Sequence, residues 1–273
     1  MTRKDLIAAA FLGAITPAMH AQDPSAVNPV FQDGEWLQYK VKFGFFRLGT
    51  MRFHVRRVDD DPNGERYRID LRLDSNPALF FINLHDSHYN IVHPESLYSE
   101  EYGRSWVANG DSIQTTRRYD RKRHTCSIED YNRTRNRILL SLVLQEVSPY
   151  FEGPSLWLFA RSKAQERGVY SVRSIMDTSV CVTSLRYGRA ISLLDIGAFE
   201  DRIRARQVIG VAHWVGNSFG GMSGEFRGWF SDDDAAVPLI AHLKLSVGKV
   251  VVELEKWRRL GWEPPTQQKT VWR

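Results

Sequence analysis

The residues whose types and spacing could do chemistry fall into four groups. Gly216-Asn217-Ser218-Phe219-Gly220 spells the G-x-S-x-G pattern of a nucleophile elbow. That elbow presents its serine on a strained turn between a strand and a helix. Here Gly221 and a strand-patterned stretch follow, so the segment reads as a hairpin loop. The same geometry denies a phosphate group the helix N-terminus that would receive it. His85, Asp86, His88 and His93 form the densest imidazole cluster, with ligand types that suit Zn²⁺. On a strand, however, positions three apart point to opposite faces, which favours surface or loop histidines over a metal site. Asp59 to Asp61 and Asp232 to Asp234 lack the spaced oxygens and the glycine of a calcium loop and read as polar hairpin tips. Cys126 and Cys181 are the only thiols. They either close one disulfide, worth about 4 kcal/mol by loop entropy in an oxidising compartment, or lie buried separately. No catalytic residue, metal or cofactor is assigned from these groups.

The basic residues are mostly arginine, 28 Arg against 9 Lys. Guanidinium groups pair bidentately with carboxylate and phosphate, which makes anionic lipid headgroups and acidic glycans conceivable partners. The plainer reading places these arginines on the solvated faces of strands. Arg117, Arg118, Arg121, Lys122, Arg123, Arg133, Arg135 and Arg137, interleaved with Tyr119 and Tyr131, are the densest run. Nucleic acid is excluded as a partner by the targeting segment described next.

Arg3 and Lys4 precede an apolar run from Leu6 to Ala18, and Ala21 offers a small residue before a cleavage point. The run is shorter than the ~20 residues that span a bilayer, so residues 1–21 read as a cleavable signal peptide and the protein as periplasmic, with an uncleaved N-terminal anchor as the alternative. Residues 22–30 read as a loosely held leader, 31–258 as one β domain and 259–273 as a polar tail. No second long apolar segment follows.

The elements that must position any site are strands. Between Gly224 and Trp257, Phe226, Phe230, Leu239, Ala241, Leu243, Leu245, Val250, Val252 and Leu254 alternate with polar residues. Such a period of two marks a sheet with one dry and one wet face. The same alternation runs through Leu37, Tyr39, Val41 and Phe43, through Met51, Phe53 and Val55, and through Tyr67, Ile69, Leu71 and Leu73. Asp59 to Gly64 joins the last two as a hairpin. Weaker strands are expected at 87–92, 97–104, 112–119, 125–129, 169–174, 179–185 and 203–214. The apolar stretch 137–147 fits a short helix or a buried strand. Pro154 opens a helix over Ser155 to Arg167, with Gly168 as its stop. The expected fold is mainly β: a curved antiparallel meander, barrel or half-barrel, with one or two short helices.

Several of these segments resemble an exported bacterial family, domain of unknown function 3108. The likeness lies in Phe31-Gln-Asp-Gly-Glu-Trp-Leu37-x-Tyr39 with Val41, in Gly49, and in Asp86 to Pro94. A closing block continues it, Gly228-Trp-Phe-Ser-Asp-Asp233 with Pro238 and Val247-Gly248. The resemblance implies an exported, mostly β protein similar in fold to the open half-barrels of periplasmic lipoprotein carriers, and it carries over no catalytic residues.

An inward apolar set, Tyr39, Phe43, Phe53, Tyr67, Leu71, Phe226 and Leu243, is then the candidate ligand-binding group. Both uses demand the same alternation, and an ordinary core is the default reading of the set. The functional expectation is a non-catalytic envelope protein holding a lipid-like group in the concavity. A structural module pairing with envelope proteins through its edge strands is the alternative, and a hydrolase using Ser218 or His88 ranks behind both.

Overall fold

Alternation of apolar and polar side chains at both ends of the chain leaves one economical solution, a sheet that curls to bury its own dry face. The computed structural model describes residues 28–58, 65–79, 83–176, 178–213, 224–245 and 248–267. The elements are β1 (Trp36–Phe43), β2 (Phe46–Val58), β3 (Arg66–Ser75), β4 (His85–Val92), β5 (Ser99–Ala108), β6 (Asp111–Asp120), β7 (Thr125–Asn132), β8 (Arg137–Leu144), α1 (Pro154–Ser162), β9 (Gly168–Met176), β10 (Ser179–Leu194), β11 (Arg202–His213), β12 (Gly224–Ser231), β13 (Pro238–Lys244), β14 (Lys249–Arg258) and β15 (Thr266–Gln267). They form one antiparallel sheet in the order β8-β7-β6-β5-β4-β3-β2-β1-β14-β13-β12-β11-β10-β9, with β15 added beside β11. The pairing of β1 with β14 joins the two ends of the meander. The sheet is curved but not closed, since its edges β8 and β9 do not pair with each other.

The crossing chain between β8 and α1 spans that opening. The Ser99 N–H donates to the Tyr150 carbonyl at 3.0 Å, and the Phe151 N–H donates to the Arg173 carbonyl at 2.8 Å. Phe151 and Ser174 make a single parallel bridge there.

The core follows the predicted inner face: Leu37, Tyr39, Phe53, Val55, Tyr67, Ile69, Leu71, Leu239, Val252 and Leu254 are all buried in one cluster. On the outer face the arginines pair with carboxylates of neighbouring strands, as in Arg52–Asp74 at 2.9 Å and Arg47–Glu255 at 2.7 Å. Such exposed pairs add little stability individually but keep the wet face soluble.

Three expectations are corrected. The stretch 137–147 resolves as edge strand β8, whose Leu140, Leu142 and Leu144 cover Cys126 and Ile128 while Ile138, Leu139 and Val143 face outward. The helix ends at Ser162, five residues before Arg167, and its last turn is held by Arg161. The leader is not loose at its end, because Val30 is buried in the core. The described part of the polar tail, residues 259–267, packs on the sheet: Arg259 reaches a buried carboxylate, Trp262 packs on Phe199 and Trp257, and Thr266 pairs with Ile203. The signal segment, the Asp59–Gly64 hairpin and the Gly216–Gly220 loop lie outside the described residues.

Curvature depends on close backbone approach at Gly49, which sits opposite Val41 beside a register shift in the β1–β2 ladder. A Cβ at Gly49 would run into the carbonyl oxygen of Asp74 on β3. Backbone cannot swing aside as a side chain can, so Gly49→Ala is expected to destabilise by about 1–3 kcal/mol. A urea-denaturation midpoint indistinguishable from that of the parent protein would refute this.

Candidate functional site

The concave face has two chemically different halves. Over β1–β3 and β10–β14 it is apolar, and α1 lies across it. One register row runs Phe46, Phe43, Val250, Leu243, Phe226, Gly210 and Leu185 from strand to strand. The next row runs Val41, Val252, Ala241, Gly228, Val208 and Tyr187. This second row is short of side-chain volume at Ala241 and Gly228. At Gly210 the first row has no side chain either, and the Phe226 ring lies over that glycine so closely that a Cβ would collide with it.

The helix cannot fill the space these small residues leave. Pro154, Leu156, Trp157 and Ala160 form its inward side, and beneath them lies a cavity of about 210 Å³. Met51, Phe53, Leu71, Phe226, Phe230, Leu243 and Val252 supply its walls, with Gly224, Glu225 and Lys244 at the ends of β12 and β13. Ser174 also borders it; the Ser174 hydroxyl is buried and has no hydrogen-bond partner among the described residues.

The seven residues expected to bind a ligand therefore separate. Phe53, Leu71, Phe226 and Leu243 come together on the cavity wall. Tyr39 lies beside them, its ring 5.4 Å from Trp157 and its hydroxyl donating to the Pro238 carbonyl at 3.0 Å. Burial raises its phenol well above the usual value, so it stays neutral. Tyr67 stacks on Phe31 away from the cavity, and Phe43 lies against Gly248 at the rim. The ligand-binding set expected from sequence leaves out Gly228 and Trp157, and also Ala241, which alternation places inward. Small residues and a single helical tryptophan carry no period that marks them out.

Two anchors hold α1 in place. At its C-terminal end Arg161 donates to both Glu35 carboxylate oxygens, at 2.6 and 2.7 Å, and to the Ala235 carbonyl at 2.7 Å. Arg259 donates to Glu35 as well, at 2.7 Å. Burial alone would raise the Glu35 carboxyl, but the field and hydrogen bonds of Arg161, then of Arg259, outweigh it and leave the pKa below the usual value. At the N-terminal end the Ser155 N–H donates to the Asn90 side chain at 3.3 Å, and the Ser155 hydroxyl donates to the Glu152 carbonyl.

Over β4–β6 the inner face carries a polar column. His88 is buried, with Nδ1 2.8 Å from the Tyr102 hydroxyl and Nε2 3.2 Å from Asp86, so it is not the surface histidine expected. Arg104 clamps Asp86 at 2.7 Å. Burial raises the Asp86 carboxyl, yet hydrogen bonds from His88 and Arg104 hold it below its ordinary value. Arg117 pairs with Glu152 of the crossing chain. His85 faces the other way and bonds Asp74 at 2.8 Å, as strand geometry requires. This inward column resembles an acid–histidine–tyrosine relay by composition. It lines none of the cavity beneath α1, and Gly153 packs over the Tyr102 ring. Its bonds tie the crossing chain to the sheet.

The arginine run does not form one patch. Arg117 points inward, Arg121 pairs with Glu100 near one rim, and Arg135 pairs with Asp111 at the opposite rim. Asp232 is bound by Arg204 and Arg206, and Asp233 accepts from Trp262 at 2.8 Å, so these carboxylates staple strands together. Cys126 and Cys181 are both buried and form no disulfide in the structure. Burial pushes the Cys126 thiol up, which leaves it a poor nucleophile.

No protein-family model matches this chain, and no curated protein sequence does. Its fold is similar to the crystal structure of a β-barrel-like protein of domain of unknown function DUF1849 from Brucella abortus. The TM-score is 0.51 at 10% identity, covering 82% of this chain and 97% of that one. The likeness is one of fold. Among the described residues no helix is long and apolar enough to cross a membrane.

Proposed function

We propose that this is an exported, periplasmic, non-catalytic protein of the cell envelope that binds an apolar, lipid-like group beneath α1. The cavity of about 210 Å³ between Phe53, Leu71, Ala241, Leu243 and Trp157 is the observation that carries this reading. An apolar engineered cavity of roughly 150 Å³ stays dry and takes up benzene. This one is larger, so a ring or a short run of methylenes fits as it stands. Each buried methylene contributes about 0.8 kcal/mol. A longer chain would leave at the rim, past the start of β12 and the end of β13, where Lys244 offers a cation to an anionic head. The leading signal-like segment supports export. The order of the Phe31–Val41, Asp86–Pro94 and Gly228–Gly248 segments supports placement in the exported family of domain of unknown function 3108.

Native mass spectrometry and solvent extraction of the protein purified from its own host test the reading. One apolar adduct per chain is expected; protein that is uniformly free of adduct and takes up no added fatty acid would remove the proposal.

A second reading has its own observation. Among the described residues nothing pairs with the outer side of edge strand β8, which exposes Ile138, Leu139 and Val143. Such an edge is a template for strand addition by an envelope protein, which would make the chain an adaptor.

A further inference from the structure

Connections in an antiparallel meander alternate between two rims. One rim carries the Glu35–Arg161–Arg259 cluster. The other carries the β1–β2 turn, the β13–β14 turn and the start of β12.

At this second rim the β1–β2 turn holds Phe45 and Phe46, 88% and 54% exposed, with ring centroids 4.1 Å apart. Two aromatic rings in tilted contact, projecting from a hairpin tip, bury almost nothing of the protein's own. The β13–β14 turn places Lys244 directly opposite Lys249. Like charges directly opposite each other destabilise a sheet. Neither lysine has an ion-pair partner among the described residues, and Ser246 and Val247 between them carry no charge. The local field is positive. Burial first, then Lys249, Arg227 and Lys42, push the pKa of His242 down. Glu225, the nearest acid on β12, is engaged with Arg227 at 2.9 Å, and Glu253 with Lys40 and Lys42.

Register ties the aromatic tip to the cavity. Phe46 pairs with Phe43, Phe43 with Val250, Val250 with Leu243 and Leu243 with Phe226. The last two line the cavity, and Lys244 stands at its edge. Exposed aromatics, unneutralised cations and the open end of an apolar cavity therefore share one rim.

We propose that this rim docks on an anionic lipid bilayer, with Phe45 and Phe46 among the acyl chains at headgroup depth and Lys244 and Lys249 against lipid phosphates. Apolar insertion plus cationic attraction is the physical basis of interfacial binding. The surface stands whether or not the cavity holds a ligand, and extraction of the same preparations reports on the cavity separately.

The test uses the full chain with a polarity-sensitive fluorophore on Phe45→Cys, compared with the same label on Lys122→Cys at the opposite rim. Cys126 and Cys181 are buried and do not compete for it. Residues 1–27 are present in every variant, so differences between labels and variants report the rim alone. Vesicles of neutral phospholipid with about one-third anionic phospholipid should blue-shift the label at 45 and leave that at 122 unchanged. Neutral vesicles should shift neither. Lys244→Gln/Lys249→Gln should weaken partitioning about fivefold for each lysine, about thirtyfold together. Phe46→Ser should weaken it about tenfold or more. Circular dichroism of each variant verifies the fold. Equal responses at 45 and 122, or a response at 45 indifferent to anionic lipid and to both lysines, would overturn the proposal.

Discussion

Glu35→Ala is expected to lower stability by about 3–5 kcal/mol, the largest loss from any single charged residue here. The substitution leaves Arg161 and Arg259 facing each other, one fully and one largely buried, with their shared carboxylate gone. Arg161→Met should cost less, because Glu35 keeps Arg259 and the apolar side chain still packs. The acid limb supplies a second signature. The Glu35 pKa lies below its usual 4.5 in the folded protein. Its contribution is thus fully present above the unfolded value and is lost as pH falls through the depressed folded value. Below about pH 4.5 the parent should therefore lose stability more steeply than Glu35→Ala. Chemical denaturation at several pH values measures both effects. A loss under ~1 kcal/mol at neutral pH would show that α1 does not depend on this anchor.

Trp157→Ala is expected to cost about 3 kcal/mol, toward the lower end for a large aromatic because the side chain is only half-buried. Its ring lies 4.7 Å from Phe53 and 5.4 Å from Tyr39, and it forms one wall of the cavity. Truncation therefore merges the ring's own volume with the space already present. Binding should shift toward longer or bulkier apolar ligands: hexadecanoic acid should gain affinity relative to decanoic acid. If the preference between the two acids is unchanged, Trp157 does not bound the binding space.

The sheet itself was legible because one side of it is wet. From Glu225 to Leu254 the alternation follows the observed register, with Phe226 opposite Leu243 and Leu243 opposite Val250. Legibility fails where that contrast disappears. Strands β4–β6 carry Asp86, His88, Asn90 and Arg117 inward, so both faces are polar and the pattern names neither. β8 has leucines inward and Ile138 and Val143 outward, so both faces are apolar.

The site was half legible for a related reason. Alternation identified Phe53, Leu71, Phe226 and Leu243, because walls are large. It placed Ala241 inward but could not show that Ala241 and Gly228 leave a gap, because a cavity is made by what is missing. Glu35, Arg161 and Arg259 stand far apart in sequence on a turn, a helix and a strand end. Their meeting depends on the β1–β14 pairing that joins the two ends of the meander.

Calorimetric titration of the protein with decanoic acid, repeated on Ala241→Phe, tests the central claim most directly. Ala241 borders the cavity opposite α1, and a phenyl ring there would occupy it without touching the helix anchors. One site per chain with a negative heat-capacity change is predicted for the parent, and loss of that site in a variant that still folds. Undiminished binding by folded Ala241→Phe, or no binding by the parent, would contradict it.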